Sequence, residues 1–306
     1  MTMKHGTYWM GFVSLLLAAC QGQDVPTVTD EEKLPMSVQA EIENSSSANA
    51  RTSTTDEGAV SFVAGDKIGL FVPDQPSPVV WTYSGSGWTP GKTVYWKDKT
   101  STYDFYAYYP CSGDVSAVTA SAVPMPDLST QTGTLEKLGD YDFLVATQNC
   151  SYGATGAVSF TGEHQFQHVL SMVSFTFTTN DMGDGVTLKS VQLSAEGLSA
   201  QNTYDLLNRR TEASSVAGTV ITAGISGNAS VLLAVPVTAV TFTVSVTYTT
   251  GEQEVTISQT ATESITLQQG KKHQMTVTVK QGGLSLSGME ITNWAEGTAL
   301  PAITVD

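Results

Sequence analysis

The residue types that most often perform chemistry are scarce in this sequence and do not group into recognisable motifs. His164 and His168 lie four positions apart, a spacing that suits metal ligation on a helix, but their surroundings are typical of turns and strands. Gly91-Lys92-Thr93 matches only the end of a phosphate-binding loop, because Ser86 stands where that loop needs glycine. No nucleophile with a matching base is apparent either. We therefore expect no enzyme activity, no metal and no cofactor.

One cysteine near the N-terminus, Cys20, has the sequence context for covalent modification. Lys4 precedes an apolar stretch, residues 8–19, that is too short to span a membrane and ends in small residues, as export signals do. Leu17-Ala18-Ala19-Cys20 matches the lipobox of bacterial lipoproteins, in which the cysteine is lipidated and becomes the mature N-terminus. We expect residues 1–20 to be a lipoprotein signal peptide and acyl chains such as palmitate on Cys20 to anchor the protein. The alternative is a secreted protein with an incidental cysteine.

The composition permits a large folded core and makes several partners improbable. The 306 residues are 41% hydrophobic and carry 14 basic against 29 acidic residues, a net charge of −15. No run of Lys and Arg could neutralise phosphates, so we expect no nucleic-acid partner. Export would permit a disulfide between Cys111 and Cys150, but two buried free thiols are the favoured alternative.

Alternating apolar residues predict an isolated strand close to the N-terminus. Met36, Val38, Ala40 and Ile42 alternate with polar residues, which indicates a strand with one buried face. A Ser/Asn-rich linker ending at Arg51 separates this strand from the rest of the chain.

From residue 60 onward, short apolar alternations recur with turn residues between them, and no helical periodicity extends over 12 positions. This pattern predicts an all-β protein. The turn-rich stretch 179–185 divides the pattern into two series. We therefore predict two tandem β-sandwich domains, 52–180 and 181–306, preceded by a segment 21–51 that contains the isolated strand.

Aromatic residues in the first series have two interpretations. Tyr103, Phe105 and Tyr109 alternate strictly, which favours core packing. Trp88 stands beside a Gly-rich turn and is the candidate for an exposed ligand-binding aromatic.

Several motifs in a common order resemble the fimbrillin family of Bacteroidetes, the subunits of type V pili. The motifs cover nearly the whole chain and are the lipobox at Cys20, the Arg51-Thr52 junction, Phe62 with Gly65-Asp66-Lys67-Ile68-Gly69-Leu70-Phe71, Tyr141-Asp142-Phe143-Leu144-Val145-Ala146, Phe166-Gln167-His168-Val169-Leu170, and Ile291-Thr292-Asn293-Trp294 with Gly297. The resemblance implies transthyretin-like sandwich domains and a lipoprotein precursor carried to the outer membrane surface.

The resemblance also implies a mechanism of assembly through other pilus subunits. An arginine-specific protease would cut after Arg51 and release the strand from Met36 to Ile42, which acts as a plug. The apolar residues of the C-terminal tail would then fill the groove of another subunit; these are Leu300, Ile303 and Val305. We accordingly expect a structural or adhesive fimbrial subunit, at the stalk or the tip.

Alternatives remain open at each of these positions. Arg51 could be an ordinary linker residue, and Arg209-Arg210 offers a competing protease site. Pro301 interrupts the tail, which could instead complete the C-terminal sandwich. The alternative function is a monomeric outer-membrane lipoprotein that binds glycan or a host ligand, with Trp88 as the contact residue.

Overall fold

The structure is a computed structural model that describes residues 34–43, 61–153, 156–179, 182–213, 220–281 and 283–294. All described elements belong to one compact unit that begins at Leu34. The only helices among these residues are the short 3₁₀ turns Leu135–Asp140 and Gly162–His164. Within the same residues, no helix is long and apolar enough to cross a membrane.

Twenty-four strands form from the described residues. The first twelve are β1 (Leu34–Pro35), β2 (Ser37–Ala40), β3 (Lys67–Phe71), β4 (Val79–Tyr83), β5 (Trp88–Pro90), β6 (Tyr95–Trp96), β7 (Tyr103–Tyr109), β8 (Val123–Pro124), β9 (Thr130–Gln131), β10 (Leu144–Cys150), β11 (Ala157–Phe160) and β12 (Gln167–His168). The remaining twelve are β13 (Ser171–Thr178), β14 (Val186–Ser194), β15 (Asn202–Asp205), β16 (Arg210–Ala213), β17 (Val220–Gly224), β18 (Ala229–Ala234), β19 (Val237–Val240), β20 (Thr243–Thr250), β21 (Gln253–Thr260), β22 (Ile265–Leu267), β23 (Lys271–Lys280) and β24 (Gly283–Asn293).

A six-stranded sheet in the order β12-β10-β7-β3-β4-β5 separates two apolar cores. Because successive side chains of a strand point to opposite faces, β7 serves both cores. Phe105, Ala107 and Tyr109 enter one core, and Tyr108 enters the other. The predicted core role of the alternating aromatics therefore fits this sheet, although Tyr103 is only half-buried.

The first core lies under one face of this sheet and is closed by the N-terminal strands. Its members include Trp81 of β4, Trp96 of β6 and Phe160 of β11, together with apolar residues of β1 and β2. The pairs β1–β6 and β2–β11 form small two-stranded sheets across the core from the larger sheet.

The second core is a sandwich of two sheets whose strands bury alternate residues. One sheet has the order β18-β13-β23-β24 and the other has the order β21-β20-β14-β17-β9. Phe175 and Val277 of the first sheet belong to the same apolar cluster as Leu193 and Val246 of the second. The predicted all-β, sandwich-type fold is confirmed.

Strand pairing crosses the domain boundary expected at residue 180. Strand β13 runs parallel to β23 and antiparallel to β18, so residues 171–178 belong to the second sandwich. Strands β8 and β9 likewise pair with β15 and β17. The division into 52–180 and 181–306 and the transthyretin-like topology both stay predictions.

Candidate functional site

The candidate functional site is the groove in the first core that holds the N-terminal segment, residues 34–43. Leu34 and Pro35 pair antiparallel with Trp96 and Tyr95, and β2 then pairs parallel with β11. Ile42 continues the parallel pairing with a bridge to Phe166. The segment thus changes partner twice, from β6 to β11 and then to Phe166, and its alternating sequence keeps one face against the core throughout.

Backbone hydrogen bonds fix the segment along its whole length. The Met36 N–H donates to the carbonyl oxygen of Val94 at 2.8 Å, and the Ser37 N–H donates to that of Gly156 at 3.1 Å. Farther along, the Glu43 N–H donates to the Phe166 carbonyl at 2.8 Å. Removing the segment would therefore leave a row of strand groups without partners, which is a template for an added strand.

The buried face of the segment supplies the apolar part of its binding energy. Leu34, Met36, Val38 and Ile42 are buried, whereas Ala40 is half-buried at the edge of the same core. Burial of four such side chains contributes roughly 6–12 kcal/mol in all. The residues expected to act as a plug therefore lie in a groove, and Leu34 extends the set that the sequence had suggested.

The far end of the segment bonds to His168, which in turn contacts two residues far from it in the sequence, Asp142 and Trp294. The Glu43 carboxylate accepts a hydrogen bond from the backbone N–H of His168 at 3.0 Å. The His168 imidazole is buried and stacks on Trp294, with ring centroids 4.0 Å apart and planes 10° from parallel. Its Nδ1 lies 2.9 Å from Asp142 Oδ2, which is an ion-pair distance although the two groups do not meet hydrogen-bond geometry.

Asp66 forms a second polar contact at the border of the first core. Asp66 accepts hydrogen bonds from the Val63 N–H at 2.7 Å and from the Tyr109 hydroxyl at 3.2 Å. Burial raises the pKa of Asp66 despite these two bonds. This carboxylate holds the turn before β3 against β7, so its role is to shape the wall of the core.

Trp88 is packed more closely than its place beside a glycine turn suggested. Its ring contacts Phe62 edge-on, with centroids 5.0 Å apart, and lies 5.1 Å from the ring of Tyr83. The side chain is half-buried and covers the rim of the first core. Its role as a ligand contact stays a prediction.

The competing protease site, Arg209-Arg210, lies where the turn between β15 and β16 ends, with Arg210 as the first residue of β16. Arg210 is 63% exposed at its side chain, and Arg209 has a positive φ of 53°. The Arg209 guanidinium donates a hydrogen bond to Thr147 Oγ1 at 2.8 Å. An exposed turn is accessible to proteases, so this dipeptide must be controlled in any cleavage experiment.

The remaining predicted residues fall mostly outside the described part of the chain. Cys20 and Arg51 lie there, as do the tail residues Leu300, Ile303 and Val305. Cys111 and Cys150 are both free thiols, as the favoured alternative expected, but only Cys111 is buried, whereas Cys150 is half-buried. Across the described ranges, no group of His, Cys, Asp and Glu side chains has the arrangement of a metal site.

Sequence reasoning had not assigned a shared location to Asp142, His168 and Trp294. Each stands in one of the recognised motifs, but 26 and 126 positions separate His168 from the other two. The available signal was a polar or aromatic residue inside an otherwise apolar motif, because such a residue needs a specific partner when buried.

Comparison with known proteins identifies relatives along most of the chain. A family model described as fimbrillin-like matches residues 50–294. A protein named as a fimbrium tip subunit, Fim1C of Bacteroides ovatus, is 28% identical over 137 residues, which are 40% of this chain and 25% of that protein. The chain thus matches about a quarter of the length of this curated relative.

Solved structures share the fold at low sequence identity. A crystal structure described as a cell adhesion protein from Bacteroides uniformis superposes with a TM-score of 0.61 at 18% identity, covering 86% of this chain and 99% of that one. A second, from Bacteroides ovatus, gives a TM-score of 0.54 at 13% identity, covering 86% and 98%. Since the family model spans well over half of the 306 residues, this protein belongs to the fimbrillin-like family.

Proposed function

We propose that this protein is a structural or adhesive subunit of a cell-surface fimbria, at the stalk or tip, that polymerises by strand exchange. The observation that carries the proposal is the placement of residues 34–43 as a separate, apolar, hydrogen-bonded insert in the first core. Family membership and the tip subunit among its relatives support the same conclusion.

Processing after Arg51 would convert the insert into a removable plug. The N-terminal segment contributes several buried side chains but no strand to the six-stranded sheet, so its departure leaves that sheet's pairing in place. The vacated groove would present the edges of β6 and β11, and its aromatic lining would include Trp81, Trp96 and Phe160. An apolar tail from another subunit can restore the lost hydrogen bonds and the lost burial together.

A plug also explains how premature assembly is avoided. An open groove with unpaired edges would bind any extended apolar segment during export. A head-to-tail contact that does not close on itself then yields a filament once the plug is removed. Lipid on Cys20 would hold the precursor at the outer membrane until an arginine-specific protease cuts the segment. Cys20→Ser should abolish labelling with radioactive palmitate.

The decisive experiment exploits the arginine content of the chain, which is limited to Arg51, Arg209 and Arg210. The soluble form, residues 21–306, is made with Arg209→Lys and Arg210→Lys, which leaves Arg51 as the only target of an arginine-specific protease. One cut followed by a ladder of oligomers supports the proposal.

A matched control and two contrary outcomes complete the test. Adding Arg51→Lys to the same background should abolish both the cut and the ladder. Complete cutting and segment release with a lasting monomer would contradict strand exchange. Resistance at Arg51 would show that the N-terminal segment is a permanent part of the fold.

A further inference from the structure

The edge strands of the two sheets in the second sandwich, β21 and β24, come close to each other but do not pair. Among the described residues, β24 pairs only with β23, and β21 pairs only with β20. A cavity of about 530 Å³ lies between β24 on one side and the end of β21 with the following residues 261–266 on the other. This cavity is distinct from the groove in the first core that holds the N-terminal segment.

The lining of this cavity is mainly apolar. Met275 and Leu284 are buried at its floor, while Ile265, Leu286 and Ile291 are half-buried along its walls. Among the described residues that line it, Glu263 is the only charged one. An apolar groove beside an unpaired strand edge fits an extended apolar segment better than a charged ligand.

The exposed edge of β24 is long and has few features that discourage pairing. Its sequence, Gly283 to Asn293, contains no lysine and no proline, the residues that commonly protect sheet edges. A bulge at Gly288, with a φ of 63°, is its one irregularity. Such an edge normally requires a cover.

We propose that the cover is the C-terminal tail of the same chain, residues 298–305, added antiparallel to β24. The tail begins just after Trp294, so Ala295-Glu296-Gly297 can reverse the chain as a three-residue turn that ends in glycine. That turn places residue 298 opposite Trp294 and residue 301 opposite Ile291. Eight extended residues reach about 26 Å, enough to follow β24 into the groove.

The sequence of the tail fits this register. Pro301, Ile303 and Val305 share one face, the face of Ile291, which lines the groove. Pro301 lacks an N–H, which an outermost strand tolerates when that position points to solvent. Pro301 would disrupt a strand in the middle of a sheet, but it is compatible with a strand at the edge.

Docking of the tail would give the subunit two covered surfaces before assembly. The N-terminal segment fills the first core, and the tail covers the groove of the second sandwich. The same tail would have to leave its groove before it could enter another subunit. This consequence rests on the proposed function, whereas the docking itself does not.

Hydrogen exchange on the uncleaved soluble chain, residues 21–306, tests the docking. The variant carries Ile303→Asp with Val305→Asp, and the control carries Ala302→Ser, whose side chain points away from the groove in this register. We expect the β24 amides that do not bond to β23 to exchange at least about tenfold faster in the aspartate variant and at the normal rate in the control. A chain that ends at Trp294 should reproduce the faster exchange.

Two results would overturn the proposal. Unchanged exchange in the aspartate variant and in the shortened chain would show that the tail does not cover β24. Protection that rises with protein concentration, together with dimers in size-exclusion chromatography, would assign the groove to a second copy. Both readings are taken without cleavage at Arg51, so failure of the docking and failure of strand exchange are distinguished.

Discussion

Replacing Ile42 with alanine tests whether burial holds the N-terminal segment in place. Ile42 is 1% exposed, belongs to the first core and forms the bridge to Phe166 at the far end of the segment. Truncation of a fully buried isoleucine to alanine costs about 2–5 kcal/mol, because transfer energy is lost and a cavity remains. The backbone bonds on either side, from Glu41 and Glu43, stay available.

The effect should be measured after cleavage, when only non-covalent contacts retain the segment. A loss of 2–5 kcal/mol shifts its dissociation equilibrium by about 30-fold to a few thousand-fold. The assay starts from the Arg209→Lys, Arg210→Lys background, cut after Arg51, and follows release of the fragment by size exclusion and mass spectrometry. Ile42→Ala should release the fragment well before the unmodified segment does.

Glu41→Ala is the matched control for this experiment. Glu41 is the exposed neighbour of Ile42, and its backbone bonds do not depend on its side chain. The cleaved fragment that carries Glu41→Ala should dissociate at close to the rate of the unmodified fragment. Equal release from Ile42→Ala and Glu41→Ala would refute the idea that apolar burial retains the segment.

Substitutions at Asp142, His273 and Gly133, with Asp142→Asn and Gly113→Ala for comparison, probe the supporting structure by denaturant unfolding. Asp142→Ala should cost about 1–3 kcal/mol, because it removes the polar group beside the buried His168 Nδ1, and Asp142→Asn should cost less. Burial lowers the pKa of His273 to about 4, so the unfolded state alone takes up the proton as pH falls from 6.5. Stability should fall by roughly 3 kcal/mol between pH 6.5 and 4, and His273→Gln should remove that part of the slope. Gly133→Ala should lower the free energy of unfolding by about 2–5 kcal/mol, because φ is +80° and the new Cβ would overlap the backbone carbonyl at the end of β17. Gly113 also has a positive φ, +74°, but open space around it, so Gly113→Ala should lower the free energy of unfolding by only about 1–2 kcal/mol.

Local patterns predicted the strands well because each pattern reflects burial of one face. Met36, Val38 and Ile42 alternate with exposed residues, and the structure buries these three against the first core. Alternating apolar residues flank Gly251 in the sequence, and β20 and β21 form a hairpin around this turn. In each case the information lies within about ten consecutive residues.

Pairing between distant segments could not be obtained from the same patterns. Nothing in residues 171–178 indicates that β13 runs parallel to β23, about 100 positions later, instead of joining the six-stranded sheet. Trp88 illustrates a similar limit, because its nearest aromatic partners include Phe62, which lies 26 positions away. Whether such a residue is buried, or which strand it pairs with, depends on residues far away in the sequence, and a single sequence does not show which ones they are.

His168 links the far end of the N-terminal segment to Trp294, the last described residue. Glu43, just past the last strand contact of the N-terminal segment, bonds to the His168 backbone, and Trp294 is the last residue before the tail. Under the proposed function, a strand that replaces the segment in the same direction would end beside the point where the subunit's own tail begins. Successive tails would then follow one another along the filament, and His168 would stand at each junction. The His168 ring stacks on Trp294 and places its Nδ1 2.9 Å from Asp142 Oδ2, and these two contacts together give a reason for a buried polar ring at this position.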